Sequence, residues 1–240
     1  MKTVLLTGAT KGLGLATARR LIADGYKVIG VSRSLSSAYD DLMTAHGPAR
    51  IDFVSYDFDS CVGIPSLMST ITERHGVLYA LINNAAIGAD GLLATMHGSD
   101  ITRSLRINLE APIFMTKFAC RRMLLQRAGR IVNITSIVAR TGFSGLSVYA
   151  AAKAGLEGFT RSLARELGPS RITVNCVSPG FMETDMTRRL EADRLEAIRR
   201  RTPLGLATVE DAAAAVAYLL SDGARQVTGT TLTVDGGSCA

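Results

Sequence analysis

The sequence predicts an α/β protein built on one doubly wound parallel sheet of about seven strands, with helices on both faces. Short runs rich in β-branched residues alternate with longer amphipathic stretches along the whole 240-residue chain. Strands that are separated by helices pair in parallel through right-handed crossovers. The chain is 47% hydrophobic and 20% charged, which supplies the apolar surface that one substantial core requires.

Each predicted element follows from the local pattern. Strands are predicted where β-rich runs end in turn residues, at 3–7, 27–32, 51–56, 80–83, 129–135, 172–178 and 231–234. Helices are predicted where apolar residues recur with helical spacing, near 13–24, 62–75, 99–125, 148–168, 187–200 and 209–221. No Pro/Ser-rich linker and no change of composition divides the chain, so residues 1–240 are predicted to form a single domain.

Composition and charge exclude several classes of protein. The longest alanine-rich apolar stretch, residues 212–220, is far too short to span a bilayer. The net charge of +6 comes without a nucleic-acid-binding pattern, so an acidic protein partner or a phosphorylated ligand explains it equally well. The four cysteines lack CxxC spacing and the three histidines lack metal-ligand spacing. We therefore expect a cytoplasmic protein with reduced thiols, no metal, and no membrane or nucleic-acid partner.

A glycine-rich loop follows the first predicted strand. It reads Thr7-Gly8-Ala9-Thr10-Lys11-Gly12-Leu13-Gly14, and a helix follows. Glycine lets the backbone turn tightly and lets a pyrophosphate approach the helix N-terminus. The spacing is GxxxGxG rather than the commoner GxGxxG. Between the first strand and the first helix of an alternating chain, this loop predicts dinucleotide binding through Gly8, Thr10, Lys11, Gly12, Leu13 and Gly14.

The end of the second predicted strand distinguishes between two dinucleotides. NAD(H) needs an acidic residue there to hold the ribose 2′-hydroxyl. The sequence instead reads Val31-Ser32-Arg33-Ser34, without an acid. Arg33 and Lys11 offer two cations, and Ser32 a hydroxyl, where a 2′-phosphate would lie. This favours NADP(H), although both cations also suit a solvated surface.

A tyrosine and a lysine lie four residues apart in the run Tyr149-Ala150-Ala151-Ala152-Lys153. On a helix, residues i and i+4 share one face, so the phenol and the ammonium lie one turn apart. We expect the positive charge to lower the pKa of Tyr149 from its ordinary value near ~10 toward the range of acid–base catalysis. Ser136, thirteen residues upstream, is a second hydrogen-bond donor for a developing oxyanion. A surface Tyr–Lys pair and a strand-end serine are the ordinary alternatives.

With these motifs in order, the chain resembles the short-chain dehydrogenase/reductase family, whose fold is of the Rossmann type. The resemblance implies an adenine contact from Asp57 and Phe58 after the third strand. It also implies that Asn108 holds a water for proton relay, that Lys153 binds the nicotinamide ribose, and that Tyr149 is the acid. The remaining cofactor contacts implied by the family motifs come from Asn83, Asn84, Ala85, Pro179, Gly180, Met182 and Thr184.

Within the family, the chain resembles most the branch that reduces 3-oxoacyl thioesters on acyl-carrier protein during fatty-acid biosynthesis. The resemblance is carried by residues 149–158, 172–175, 179–187 and 234–237. It implies a homotetramer, a substrate lid near 182–203, and carrier docking at Arg127, with Arg171 one place beyond the expected second arginine. Residues 145–148 also depart from that branch.

Other functions remain open at this point. An acyl-CoA, a free ketone or a secondary-metabolite carbonyl could be the substrate of an NADP(H)-dependent reductase with the same residues. A nucleotide-binding scaffold or sensor is the non-enzymatic alternative. Residues 187–201 hold six arginines, which suits either a solvated helix face or the recognition of an acidic carrier or acyl-CoA phosphate.

Overall fold

The computed structural model describes residues 1–88, 90–184 and 192–240. These residues form one all-parallel sheet in the order β3-β2-β1-β4-β5-β6-β7. The strands are β1 Thr3–Thr7, β2 Lys27–Ser32, β3 Ile51–Ser55, β4 Ala80–Asn83, β5 Gly129–Ile134, β6 Ile172–Pro179 and β7 Thr231–Val234. Every predicted strand is present, and each end lies within one residue of the prediction. The predicted fold class is therefore confirmed.

Helices cover both faces of the sheet. They are α1 Gly12–Ala23, α2 Ser37–His46, α3 Ile64–His75, α4 Gly98–Leu105, α5 Ala111–Gln126, α6 Val138–Thr141, α7 Ser147–Leu167, α8 Ala192–Arg200 and α9 Val209–Leu220. A π turn, Arg106–Glu110, joins α4 to α5. No helix of the described residues is both long and apolar enough to cross a membrane.

Two apolar layers hold the helices to the sheet. On one face, α1, α2 and α9 pack against β1 through residues such as Leu21, Tyr39 and Val216. On the other face, α3, α5 and α7 pack through residues such as Ile71 and Met115. The central strands are fully buried, as parallel strands covered on both faces must be. Each such aliphatic side chain contributes about 1.5–3 kcal/mol of burial free energy.

The helices differ from the prediction at α2 and α6, which were not predicted, and within 99–125, and one predicted helix is described only in part. Helix α2 was not predicted, because Tyr39 is its only buried residue and the apolar pattern is therefore weak. The predicted helix over 99–125 is interrupted by the π turn. Of the predicted helix 187–200, residues 187–191 lie outside the described residues and α8 occupies the rest.

The sheet order reverses at β1, which pairs with β2 on one side and with β4 on the other. The connections after these strands leave toward opposite faces, so a crevice opens at their carboxyl ends. In an open parallel sheet this is the place where ligands bind. The predicted site residues follow strands β1 to β6 and therefore gather at this edge.

Candidate active site

The glycine loop closes the carboxyl end of β1. Gly8 and Gly12 adopt left-handed backbone angles, with φ of +66° and +48°. A methyl group at Gly14 would lie 2.0 Å from the Gly8 carbonyl oxygen, so only glycine fits. The Asn84 amide donates to the carbonyls of Thr7 and Gly8 at 3.0 Å and fastens the loop to the end of β4.

The outer side of the loop is open where a phosphate would approach. A methyl group at Gly12 would meet nothing nearer than Thr184 Cγ2 at 3.7 Å. Helix α1 begins at Gly12, so its first backbone N–H groups and its positive dipole end face this side. The backbone thus provides an anion site between β1 and α1.

The end of β2 suits a 2′-phosphate. The Ser32 hydroxyl is buried and has no hydrogen-bond partner among the described residues. Arg33 and Lys11 are exposed, and no described carboxylate forms a salt bridge with either. A buried hydroxyl and two exposed cations, none with a described side-chain partner, fit the 2′-phosphate of NADP(H). A phosphate ester can accept hydrogen bonds from all three groups.

The adenine side of the crevice is bounded by residues after β3. Phe58 is buried and packs edge-on against Tyr56, with 5.1 Å between ring centroids. The Asp57 carboxylate accepts from the Asp59 N–H at 3.0 Å. Asn83 points elsewhere: its amide donates to Asn133 and Thr116 in the core. Any cofactor contact at Asn83 would therefore use its backbone.

Tyr149 and Lys153 both lie near the start of α7, as predicted, and Ser136 follows β5. Burial raises the pKa of Tyr149 to about 12, although a hydrogen bond from Ser136 acts in the opposite direction. The expected lowering of this pKa by Lys153 is therefore wrong for this structure, in which burial is the largest influence on the phenol and raises its pKa. A phenol in this state stays protonated at neutral pH, which suits a proton donor.

Lys153 lies deeper than Tyr149. Its side chain is 2% exposed, and Nζ donates to the Ile134 carbonyl at 2.8 Å. Nζ stands 5.5 Å from the centroid of the Tyr149 ring. Burial lowers the pKa of Lys153 to about 8, since an ammonium is costly to place away from water. The site therefore holds an acid–base group whose pKa lies close to neutral pH.

Asn108 belongs to the π turn between α4 and α5 and is fully buried. Its Oδ1 accepts from the Ile87 N–H at 3.1 Å, and its Nδ2 donates to the Ile87 carbonyl at 3.0 Å. A further bond runs from Nδ2 to Ser104 Oγ. The side chain thus fixes the segment after β4. The water relay implied for Asn108 stays a prediction.

The loop after β6 forms the last wall. Pro179 accepts from the Ile137 N–H, and the Gly180 N–H donates to Val234. Ser178 begins the same family motif but was not among the predicted contact residues, and its buried hydroxyl has no partner among the described residues. Its position before Pro-Gly at a strand end is the signal that could have identified it. Met182 and Thr184 continue this wall, while residues 185–191 of the predicted lid lie outside the described residues.

Metal-binding side chains do not converge near these groups. In the described part of the chain, no three His, Cys, Asp or Glu residues are grouped so that they could hold a metal ion. All four cysteines are free thiols.

Comparison with known proteins agrees with this geometry. Residues 8–238 match a family model described as Enoyl-(Acyl carrier protein) reductase. The 3-oxoacyl-[acyl-carrier-protein] reductases of Pseudomonas aeruginosa and Escherichia coli are 42% and 41% identical to the chain over 239 residues, covering 98% of the chain and 96% of each relative. A short chain dehydrogenase from Burkholderia cenocepacia, solved in complex with NADP, superposes with a TM-score of 0.91 at 35% identity. That likeness covers 100% of the chain and 98% of the neighbour.

Proposed function

Since the chain belongs to the short-chain dehydrogenase/reductase family, we propose that it reduces a 3-oxoacyl thioester to the 3-hydroxyacyl product with NADPH. The observation that supports the proposal is that Ser136, after β5, and Tyr149 and Lys153, near the start of α7, belong to the same carboxyl edge of the sheet as the glycine loop. The names of the relatives supply the substrate class. The NADP-bound neighbour supports the cofactor, together with Lys11, Ser32 and Arg33.

The protein groups act on the carbonyl oxygen of the substrate. NADPH, when bound, supplies the hydride that adds to the carbonyl carbon. Ser136 and Tyr149 each donate a hydrogen bond to the oxygen as negative charge develops on it. Tyr149 then gives up its proton, which it holds at neutral pH because burial raises its pKa to about 12. Lys153 binds the ribose and returns a proton toward Tyr149, and Asn108 keeps the neighbouring segment in place.

A substrate bound to carrier protein also requires a surface on which the carrier docks. The docking residues implied by resemblance, Arg127 and Arg171, precede β5 and β6. They therefore lie at the amino edge of the sheet, whereas Tyr149 lies at the carboxyl edge. A carrier docked at these arginines would serve the active site of a second copy. This agrees with the proposed homotetramer and with Leu124 and Leu125 of α5, which are 40% and 78% exposed.

The test is NADPH oxidation with two thioesters that differ in the group reduced. Acetoacetyl and crotonyl thioesters are each supplied on carrier protein, on CoA and on a short soluble thiol. The proposal expects turnover of the acetoacetyl group and none of the crotonyl group. Ser136 and Tyr149 are proposed to hold and protonate the oxygen on the carbon that receives the hydride, and C3 of the crotonyl group carries no oxygen. Faster reduction of the crotonyl group would favour the enoyl reduction named in the family model's description.

Comparing the carrier-bound substrate with the short thioester separates the remaining alternatives. If docking is electrostatic, kcat/KM for the carrier-bound acetoacetyl group falls as salt is added and in the Arg127→Glu variant. The value of kcat/KM for the short thioester then changes with neither. An equal response of both substrates would favour an acyl-CoA or free-ketone reductase. Tight NADPH binding without turnover of any carbonyl would instead support a nucleotide-binding scaffold or sensor. We also propose that the enzyme is cytoplasmic, as its free thiols suggest.

A further inference from the structure

A basic cleft lies at the amino edge of the sheet, away from the catalytic residues. Its volume is about 620 Å³, within the range of small-molecule sites. We define it by Arg127, Arg130, Arg171, Thr173 and Arg225, which come from the starts of β5 and β6 and from the loop before β7. The length of β5, about 20 Å, separates it from Ser136.

The charge of the cleft is uncompensated. Four arginines line it and no acidic residue does, in the described part of the chain. No described carboxylate lies within salt-bridge distance of any of the four arginines. Four guanidinium groups around one concavity repel one another, so an anion bound between them lowers the free energy of the folded state.

The backbone holds two of these arginines in uncommon conformations. Arg127 and Arg171 have φ of 51° and 60° and are the described non-glycine residues with positive φ. Arg127 is further fixed by a 2.7 Å hydrogen bond from its guanidinium to the Pro169 carbonyl. Each is the left-handed C-cap of the helical segment that precedes its strand. This conformation places two cations at the mouth of the cleft.

The floor of the cleft carries unsatisfied donors. Arg130 and Thr173 are 8% and 5% exposed, and they are register partners on β5 and β6. Arg130 Nε and Thr173 Oγ1 are both buried, and neither has a hydrogen-bond partner among the described residues. Two adjacent buried donors without partners are rare in folded proteins and indicate a missing acceptor.

We propose that the basic cleft is a second anion site, which binds a phosphate ester of up to nucleotide size. Arg130 and Thr173 donate to the phosphate oxygens from the floor, and Arg225 closes on the charge from the loop before β7. A phosphate fits because it offers several acceptor oxygens and the double charge that guanidinium groups bind best. The phosphate is carried either by a free metabolite or by the phosphopantetheine arm of a carrier protein. The site is independent of the cofactor crevice.

The test uses the full chain saturated with NADPH, so that the cofactor crevice is filled. Pyrophosphate, ADP and CoA are titrated calorimetrically at constant ionic strength, with sodium chloride as the reference anion. We expect saturable binding of at least one phosphate compound. Arg225→Gln and Thr173→Val are each expected to raise its Kd at least tenfold. Arg74→Gln, which removes the same charge from an exposed position on α3, is expected to leave Kd unchanged.

Two comparisons of ligands identify the molecule that carries the phosphate. Binding of ADP or CoA without any carrier assigns the site to a free metabolite. Binding of the holo-carrier with no binding of the apo-carrier assigns it to the phosphopantetheine phosphate. Equal binding of both carrier forms would assign carrier binding to the docking proposed at Arg127 and Arg171 rather than to the phosphate. Failure of pyrophosphate, ADP, CoA and the holo-carrier's phosphate all to bind would overturn phosphate recognition. The proposed site would be wrong if sodium chloride at equal ionic strength gave the same signal as the phosphate compounds. It would also be wrong if their Kd were unchanged in Arg225→Gln and Thr173→Val.

Discussion

Replacing Lys153 by methionine is expected to stabilise the cofactor-free protein while abolishing reduction. Lys153 is 2% exposed, and burial lowers its pKa from 10.5 to about 8. A lowered pKa means that the folded state binds the proton less tightly than the unfolded state does. The ammonium is therefore a cost to folding at neutral pH, and methionine fills nearly the same volume without a charge.

The magnitude follows from the pKa difference between the two states. At pH 7, below both pKa values, the buried charge costs about 3 kcal/mol. Methionine removes the 2.8 Å hydrogen bond to the Ile134 carbonyl, which costs about 1 kcal/mol. The net gain in unfolding free energy is about 2 kcal/mol at pH 7. Wild-type stability rises between pH 8 and 10.5 as the folded state loses the proton first, so the gain changes sign near pH ~10.

Urea denaturation of the two proteins at pH 7, 9 and 10.5 measures this difference. Protein concentration is held constant, because assembly contributes to stability. Lys117→Met, on the exposed side of α5, serves as the control and is expected to show no such pH dependence. A Lys153→Met variant that is less stable than wild type at pH 7, with a gap that stays constant with pH, would refute the reasoning.

Three further outcomes are expected. Tyr149→Phe keeps the ring and removes the acid, so kcat falls about 10³-fold while the Kd for NADPH in fluorescence titration stays nearly unchanged. Near-wild-type turnover would contradict the mechanism. Arg33→Asp lowers kcat/KM for NADPH about tenfold or more, so that the ratio of kcat/KM for NADPH to kcat/KM for NADH becomes smaller. Equal wild-type kcat/KM for both cofactors would contradict the NADP(H) assignment. Asn108→Ala leaves both backbone groups of Ile87 without their partner and lowers unfolding free energy by about 3 kcal/mol in urea denaturation.

The sheet was predictable because its signals are local. Each strand is a short β-rich run, and a parallel strand covered on both faces needs little more to be recognised. Helix α2 was missed for the opposite reason. It docks mainly through Tyr39, which reaches across to Gly30, where a methyl group would lie 2.3 Å from the phenol oxygen. One long-range contact leaves no periodic pattern in the sequence.

The residues of the proposed catalytic set could be named from residue types and spacing, but their electrostatics could not be predicted in that way. The pair Tyr149 and Lys153 follows from helical spacing, and the structure places both as expected. The rise in the pKa of Tyr149 depends on burial by segments far away in the chain. The same holds for the buried hydroxyls of Ser32 and Ser178, which have no hydrogen-bond partner in the part of the chain that the structure describes, since such a gap depends on where the neighbouring segments lie.

The position of β1 in the middle of the sheet has a consequence for synthesis of the chain. The first strand made is flanked by β2 and β4, and the crevice beside it is completed only by the loop after β6. At translation rates of about 5–20 residues per second, the glycine loop emerges ~10 s or more before Pro179 and Gly180. We therefore expect dinucleotide to bind only after the loop that follows β6 has been made. Its binding free energy would then stabilise the folded chain rather than its early intermediates.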